Sequence, residues 1–294
     1  MKLKEAAALY IADKQTKRRA NTVEGYVSAL KCHVLPRWGD IELEDIDPAD
    51  IQEWIDSFDL PGAAEKAWKT LRQVVRWSIR SMRLRIWDPT SAGVELPRRK
   101  TPEPRTLTAK EVSDFLRGLW GAPDEAAAIL SVSLGLRPGE MRGLKWSDID
   151  LRSGAVSVSR TRVAAFGRLH VYEPKTAKSR RVIYLPKFAM RRLRQLKKGR
   201  NDGEFIVGDD ASAAGIGRRL KSWCRKNGLP WVSLQNLRHT WATLAIEAGV
   251  GIESVALLLG HTEIGTAYSH YMRRTKAICE EAQSLWQRYV ISCS

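Results

Sequence analysis

Cysteine and histidine are scarce in this sequence. The four cysteines are scattered over 294 residues, with no pair at the two-residue spacing typical of zinc sites and none near a pair of histidines. We therefore expect neither a disulfide framework nor a zinc centre. The pattern is typical of proteins from a reducing compartment, so a cytoplasmic location is predicted.

Long hydrophobic runs are also lacking. The N-terminus, MKLKEAAALYIADK, is amphipathic and has charged residues inside its apolar stretch. A transmembrane helix is therefore excluded, a secretory signal is not expected, and no membrane partner is predicted. With 44% hydrophobic and 28% charged residues the composition is typical of a globular protein.

Acidic residues are in short supply relative to basic ones. The chain has 49 Lys and Arg residues against 33 Asp and Glu residues, which gives a formal net charge of +16. Most of the excess lies after residue 104, and residues 40–59 contain acids but no base. The balance predicts a polyanionic partner.

A segment rich in basic residues follows the acidic one. Six bases recur there every three or four residues, and apolar residues recur at the same spacing. The pattern predicts a helix with one buried face and one cationic face about 25 Å long. No acid is interleaved one turn away, so a phosphate backbone would relieve the repulsion between these cations. A solvated helix face is the alternative. We call these bases the basic stripe: Lys66, Lys69, Arg72, Arg76, Arg80 and Arg83.

The helical periodicity and the position of the prolines along the chain predict two domains. Residues 1–102 have helical periodicity only, and the proline-bearing linker that follows predicts a boundary before a second domain at 103–294. The linker bases are further candidates for DNA contact: Arg98, Arg99 and Lys100.

The second domain is predicted to be mainly helical with one small antiparallel sheet. Thr108 and Glu111 have the spacing of a capping box that opens a helix. Short β-like runs at 155–162, 168–172 and 181–185 predict the strands. The predicted fold class is therefore mainly α with a small antiparallel β-sheet.

Four stretches of the second domain carry the candidate chemistry. In chain order they are LGLRPGEMRGLKW (134–146), PKTAKSRR (174–181), LRHTWATLAIEAGV (237–250) and LLGHTEI (258–264). Together they resemble the tyrosine recombinase, or phage integrase, family over about residues 105–275. The N-terminal helices resemble the family's SAM-like core-binding domain in length and layout. By this resemblance the catalytic residues are Arg137, Lys175, Gln235, Arg238, His261 and a tyrosine, with Glu140 in support.

The residue types suit phosphodiester cleavage. Arg137 and Arg238 can hold the non-bridging oxygens, whose charge increases in the transition state. Lys175 can protonate the 5′-oxygen leaving group. A tyrosine hydroxyl would form a covalent 3′-phosphotyrosine that keeps the phosphodiester energy, so the resemblance implies neither ATP nor a metal.

Two tyrosines compete for the role of nucleophile. In the family the nucleophile usually lies nine or ten residues after the histidine of the Gly-His turn. Tyr271 lies ten residues after His261, whereas Tyr268 lies seven after it but begins a Tyr-x-His pattern that is common in the family. The resemblance favours Tyr271. Gln235 stands where a histidine is usual, and its amide can donate a hydrogen bond but cannot transfer a proton.

The resemblance implies a site-specific recombinase of a phage or other mobile element that integrates and excises DNA by strand exchange. Its partners would be double-stranded attachment sites, a tetramer of the same chain on two duplexes, and either a host DNA-bending protein or an excisionase. A helix at about 275–292 would dock on its own subunit or on a neighbour. The alternatives are a non-catalytic accessory protein that binds DNA and a type IB topoisomerase-like enzyme.

Overall fold

Helices dominate the structure, which confirms the predicted fold class. The computed structural model describes residues 1–99, 103–173, 180–208 and 212–260. The chain divides into two units, one of Met1–Pro102 with Ala165–Arg168 and one of the remaining residues. None of the helices in these described ranges is long and apolar enough to span a membrane.

Residues 1–99 form the helices of the first unit. They are α1 (Leu3–Lys17), α2 (Ala20–Ala29), α3 (Leu35–Trp38), α4 (Pro48–Asp56) and α5 (Pro61–Ser81). A π-helical turn at Leu30–Val34 joins α2 to α3, and a 3-10 turn at Leu43–Asp45 precedes α4. Proline occupies the first position of α4 and α5, where its missing N–H costs no helical hydrogen bond.

Helix α5 has the predicted buried and exposed faces. Its apolar face, which includes Trp68, Leu71 and Val75, lies in the core of the unit. The helix ends at Ser81, so the prediction that Arg83 continues its cationic face is wrong. Arg83 has φ +54°, and the N–H of Leu84 donates to the carbonyl oxygen of Ile79. This is a Schellman motif with Arg83 in its left-handed position.

The helices of the second unit are α6 (Ala109–Gly118), α7 (Glu125–Leu134), α8 (Pro138–Gly143), α9 (Lys187–Leu196), α10 (Ala213–Lys226), α11 (Leu234–Glu247) and α12 (Ile252–Leu259). The apolar helix α7 is buried in this unit, where it contacts α8, α9, α10 and α11. The predicted capping box is present at the start of α6, because the Thr108 hydroxyl accepts from the Glu111 N–H and the Glu111 carboxylate accepts from the Thr108 N–H. A 3-10 turn at Trp146–Asp148 leads toward the strands.

The predicted single sheet is two sheets in the described residues. The strands are β1 (Ala155–Val158), β2 (Thr161–Ala165), β3 (Arg168–Tyr172) and β4 (Arg181–Tyr184). Strand β1 pairs with β4 and β2 pairs with β3. The run 155–162 is interrupted at Ser159 and Arg160, and the Arg160 side chain forms an ion pair with Asp148. The Arg160 carbonyl also lies so close to Gly143 that a Cβ there would be 2.8 Å from the oxygen.

Candidate active site

Arg137 lies in a turn that the local sequence holds firmly. It precedes Pro138 at the start of α8, and the Glu140 carboxylate accepts from both its main-chain N–H at 3.0 Å and its Nη1 at 2.9 Å. The Arg137 side chain is 42% exposed. Glu140 therefore orients a guanidinium that solvent, and a bound anion, can reach.

Gly135 allows the helices of the site to approach this turn. It ends α7 with φ +60°, a conformation that favours glycine. A Cβ at this position would be 2.7 Å from the Trp241 ring of α11 and 2.8 Å from the Leu259 side chain of α12. Any larger residue would push both helices away from the turn that carries Arg137.

Arg238 reaches the same place from α11. Its residue is only 2% exposed, and its Nη1 donates to the carbonyl oxygen of Gly135 at 2.8 Å. Its Nη2 donates to the carbonyl oxygen of Leu259 at 2.9 Å. Arg137 Nη1 lies 3.4 Å from that same Leu259 oxygen. The two predicted phosphate-binding guanidinium groups therefore meet at one main-chain carbonyl oxygen.

The C-terminal end of α12 attracts the cations. Arg137 Nη2 donates to the carbonyl oxygen of Gly260 at 3.1 Å. The last carbonyl groups of a helix have no partner within the helix and form the negative end of its dipole. Arginines here satisfy these oxygens, which places them beside the turn that leads from Gly260 to His261.

Arg181 completes the group, and the sequence analysis missed its role. Its Nη1 and Nη2 donate to the two carboxylate oxygens of Glu140 at 3.2 and 2.9 Å, and its Nε donates to the carbonyl oxygen of Leu258 at 2.8 Å. The period of strand β4 carried a signal, since Arg181 shares its inward face with buried Ile183. We call the three arginines Arg137, Arg181 and Arg238 the arginine cluster.

Glu140 connects two members of the arginine cluster, Arg137 and Arg181. Burial alone would raise the pKa of its carboxyl group, but hydrogen bonds and positive charge from Arg181 and Arg137 outweigh burial and hold the pKa below its ordinary value. Glu140 is therefore a carboxylate that fixes arginines rather than a proton carrier at neutral pH.

The structure brings together three of the predicted catalytic residues, Arg137, Glu140 and Arg238. Gln235 is exposed in the first turn of α11. The other predicted groups lie outside the described residues: Lys175, His261, Tyr268, Tyr271 and the helix at about 275–292. Within the described ranges, no three His, Cys, Asp or Glu residues are grouped as a metal site.

The basic stripe lies on α5, apart from Arg83. Lys66, Lys69, Arg72 and Arg80 are exposed, and Arg76 is half-buried. The expectation that no acid pairs with the stripe is wrong. Lys69 forms an ion pair with Glu65, the residue before the first base of the stripe. Arg76 Nε lies 3.0 Å from Asp88, which the loop after the helix brings back to α5. Of the linker bases, Arg98 and Arg99 are exposed, and Lys100 lies outside the described residues.

Helix α1 adds two cations that the sequence analysis missed. Lys14 and Arg18 line a groove of about 410 Å³ together with four bases of the stripe. The Lys14 ammonium lies 4.8 Å from the centre of the Tyr10 ring, and the Tyr10 hydroxyl donates to Gln73 of α5. The four-residue spacing of Lys14 and Arg18 at the end of α1 was the available signal in the sequence. Only the packing of α1 on α5 brings these two cations next to the basic stripe.

Models of two protein families match parts of this chain. A model of the phage integrase family matches residues 105–277, and a model of the phage integrase N-terminal SAM-like domain matches residues 2–58. A tyrosine recombinase XerC-like protein of Caldanaerobacter subterraneus subsp. tengcongensis is 29% identical over 59% of this chain. A tyrosine recombinase XerC of Xylella fastidiosa is 28% identical over 78% of each chain. The chain spans 52% of the length of the first relative.

Solved structures share the fold. The integrase of the Tn1549 transposon, in complex with a circular intermediate DNA, superposes with a TM-score of 0.79 over 98% of this chain and 99% of its own, at 19% identity. A lambda integrase tetramer bound to a Holliday junction gives 0.68 over 90% of this chain and 78% of its own, at 21% identity. Because the family model covers more than half of the sequence, the chain belongs to the phage integrase family.

Proposed function

We propose that the protein is a site-specific DNA recombinase that cuts and rejoins DNA through a tyrosine. The observation that carries the proposal is the meeting of Arg137 and Arg238 at the carbonyl oxygen of Leu259. Two guanidinium groups so close together favour the binding of an anion, and in this proposal the anion is the scissile phosphate.

In the proposed reaction the hydroxyl oxygen of Tyr271 attacks the phosphorus, and the hydroxyl proton passes to His261 or to water. The bond from phosphorus to the 5′-oxygen breaks, a 3′-phosphotyrosine forms, and Lys175 gives its proton to the leaving oxygen. Arg137 is the accessible anion ligand, and Arg238 stabilises the same pocket from its buried position. Religation is the reverse reaction with a different 5′-hydroxyl group.

His261 and Gln235 would assist at the phosphate. His261 directly follows Gly260 in the sequence, and a histidine can donate a hydrogen bond or transfer a proton near neutral pH. Gln235 is exposed one helical turn before Arg238 and can donate a hydrogen bond.

Cations of the first unit, most of them exposed, would hold the DNA backbone. The basic stripe, Arg98, Arg99 and the two cations of α1 offer a backbone-binding surface with little sequence preference. The proposed partners are attachment-site DNA and three further copies of the chain, and the tetramer of lambda integrase on a Holliday junction supports the latter. The proposal includes action in the cytoplasm on a phage or other mobile element, with a host DNA-bending protein or an excisionase as an additional partner.

Covalent trapping tests the proposal. Duplexes that tile the DNA flanking the gene, each with a nick that lets the cleaved strand diffuse away, are incubated with the protein and resolved on denaturing gels. The wild-type protein and Tyr268→Phe should form a covalent adduct, and Tyr271→Phe should form none. An adduct with Tyr271→Phe but not with Tyr268→Phe would reverse the choice of nucleophile.

The same assay separates the alternative functions. DNA binding without any adduct would identify a non-catalytic binding protein, which is the alternative that Gln235 favours. Adduct formation with relaxation of supercoils, and without a recombinant product from paired sites, would identify a topoisomerase-like enzyme.

A further inference from the structure

Arg181 is a buried arginine with no role in the proposed reaction. Its side chain is 9% exposed, and strand pairing fixes its backbone opposite Val158 of β1. Each of its three guanidinium nitrogens donates to an acceptor of the protein. A group that is buried and engaged at every nitrogen acts on its protein partners rather than on DNA.

The two partners of Arg181 both belong to the site. Glu140 is the carboxylate that orients Arg137, and Leu258 lies in the last turn of α12, just before the carbonyl groups that hold Arg137 and Arg238. Arg181 therefore connects three segments that are distant in sequence, namely β4, α8 and α12. In the sequence it follows Lys175 by six residues.

The fit between Arg181 and the Gly260 turn is close. Gly260 has φ +67°, and a Cβ at this position would lie 3.0 Å from Arg181 Nη1. A side chain at Gly260 would therefore crowd this guanidinium, and the positive φ at this position favours glycine. Arg181 packs against the turn and bonds to the helix that precedes it.

We propose that Arg181 is a positioning residue for DNA cleavage, which holds Arg137 and the Gly260 turn in register through Glu140 and the Leu258 carbonyl group. The proposal rests on the proposed function. A displacement of about 1 Å in a catalytic group can reduce a rate on the order of 100-fold, so loss of this connection should slow the chemical step.

The test compares Arg181→Ala, Arg181→Lys and the matched control Arg180→Ala in the trapping assay. Arg180 is the exposed neighbouring residue, and its ion pair is with exposed Glu173. Single-turnover experiments give the cleavage rate constant at saturating DNA, the final amount of adduct and the DNA concentration at half-saturation. We expect Arg181→Ala to lower the rate constant about 10- to 100-fold and to change half-saturation less than about twofold.

Arg181→Lys should recover little of the lost rate, because an ammonium group cannot bond to both Glu140 oxygens and to Leu258 at once. Arg181→Lys retains the positive charge, so its rate constant can still test the proposal if Arg181→Ala fails to fold. Arg180→Ala should cleave like the wild-type protein.

The outcomes distinguish positioning from general support of the fold. A purely structural role would reduce the final amount of adduct, through loss of folded protein, and leave the rate constant unchanged. That result, or a wild-type rate constant in Arg181→Lys, would overturn the proposal. If the wild-type protein forms no adduct, the proposed function fails and this inference fails with it, whereas a normal rate in the Arg181 variants overturns this inference alone.

Discussion

The molecule has two cationic regions that are built in opposite ways. The basic stripe presents mostly exposed side chains from one helix and its C-terminal turn, and its two ion pairs, with Glu65 and Asp88, are at least partly exposed to solvent. The arginine cluster gathers side chains from three separate segments around the buried carboxylate of Glu140 and the end of α12.

The two regions therefore have different roles: one contributes to DNA affinity, and the other determines the structure of the site. Exposed cations on one helix each add a small, salt-sensitive amount to DNA affinity and little to stability. Buried arginines are bonded to carbonyl and carboxylate oxygens that would otherwise be unsatisfied, so they determine both the stability and the shape of the site. Substitutions in the two regions should therefore differ strongly in their effect on the free energy of unfolding.

Arg238→Ala should cause the largest loss of stability. The carbonyl oxygens of Gly135 and Leu259 each lose a buried donor. At about 1–3 kcal/mol for each, the free energy of unfolding should fall by about 4 kcal/mol. Urea denaturation measures the change. Lys221→Ala, which removes an exposed cation from α10, is the control and should change stability by less than about 0.5 kcal/mol. Equal changes in the free energy of unfolding for the two variants would contradict the proposed difference between buried arginines and exposed cations.

Glu140→Gln should destabilise the fold by about 3 kcal/mol at neutral pH, because it leaves buried Arg181 without its counter-ion. The pKa of Glu140 lies below the ordinary value of 4.5 in the folded chain. Its stabilising contribution is therefore complete above that value and is lost as the pH falls through the folded-state pKa. Stability measured from about pH 6 down to about pH 3 should show the gap between wild type and variant narrowing toward acid. A gap that stays constant over this range would mean that the charge of Glu140 is not what matters.

The double substitution of Arg72 and Arg80 by alanine should have the smallest effect on stability, within about 0.5 kcal/mol. It should instead reduce the slope of log K against log salt for DNA binding by about 2, since each phosphate contact contributes about 0.9. Binding titrations at several salt concentrations measure the slope. Lys31→Ala removes an exposed cation outside α5 and should leave the slope unchanged. A slope unaffected in the double variant would remove the basic stripe from the DNA interface.

Local patterns predicted the stripe far better than the cluster. The spacing of cations and apolar residues placed α5 correctly, because a helical period is a property of neighbouring residues. The end of the helix was missed because it depends on a main-chain bond from Leu84 to Ile79. The Arg76–Asp88 pair was missed because it depends on how the loop after the helix folds back.

The arginine cluster could be recognised only from the tertiary structure. The motifs identified Arg137, Glu140 and Arg238, but their common acceptor is a main-chain carbonyl group, which has no signature in the sequence. Arg181 bonds to Leu258, 77 residues away, so only the packing of β4 beside α12 shows its role. The division into two sheets likewise depends on which strands pair, β1 with β4 and β2 with β3, and β-propensity does not specify that pairing.

Single-turnover cleavage at saturating DNA tests the central claim, that the arginine cluster supports the chemical step whereas the basic stripe contributes only to DNA binding. At saturation Arg137→Ala should cleave about 100- to 1000-fold more slowly than wild type, as expected for loss of a charge that stabilises the transition state. The double variant of Arg72 and Arg80 should require more DNA to reach saturation and then cleave within about twofold of the wild-type rate. A normal rate for Arg137→Ala at saturation, or a slow rate for the stripe variant under the same condition, would contradict the account.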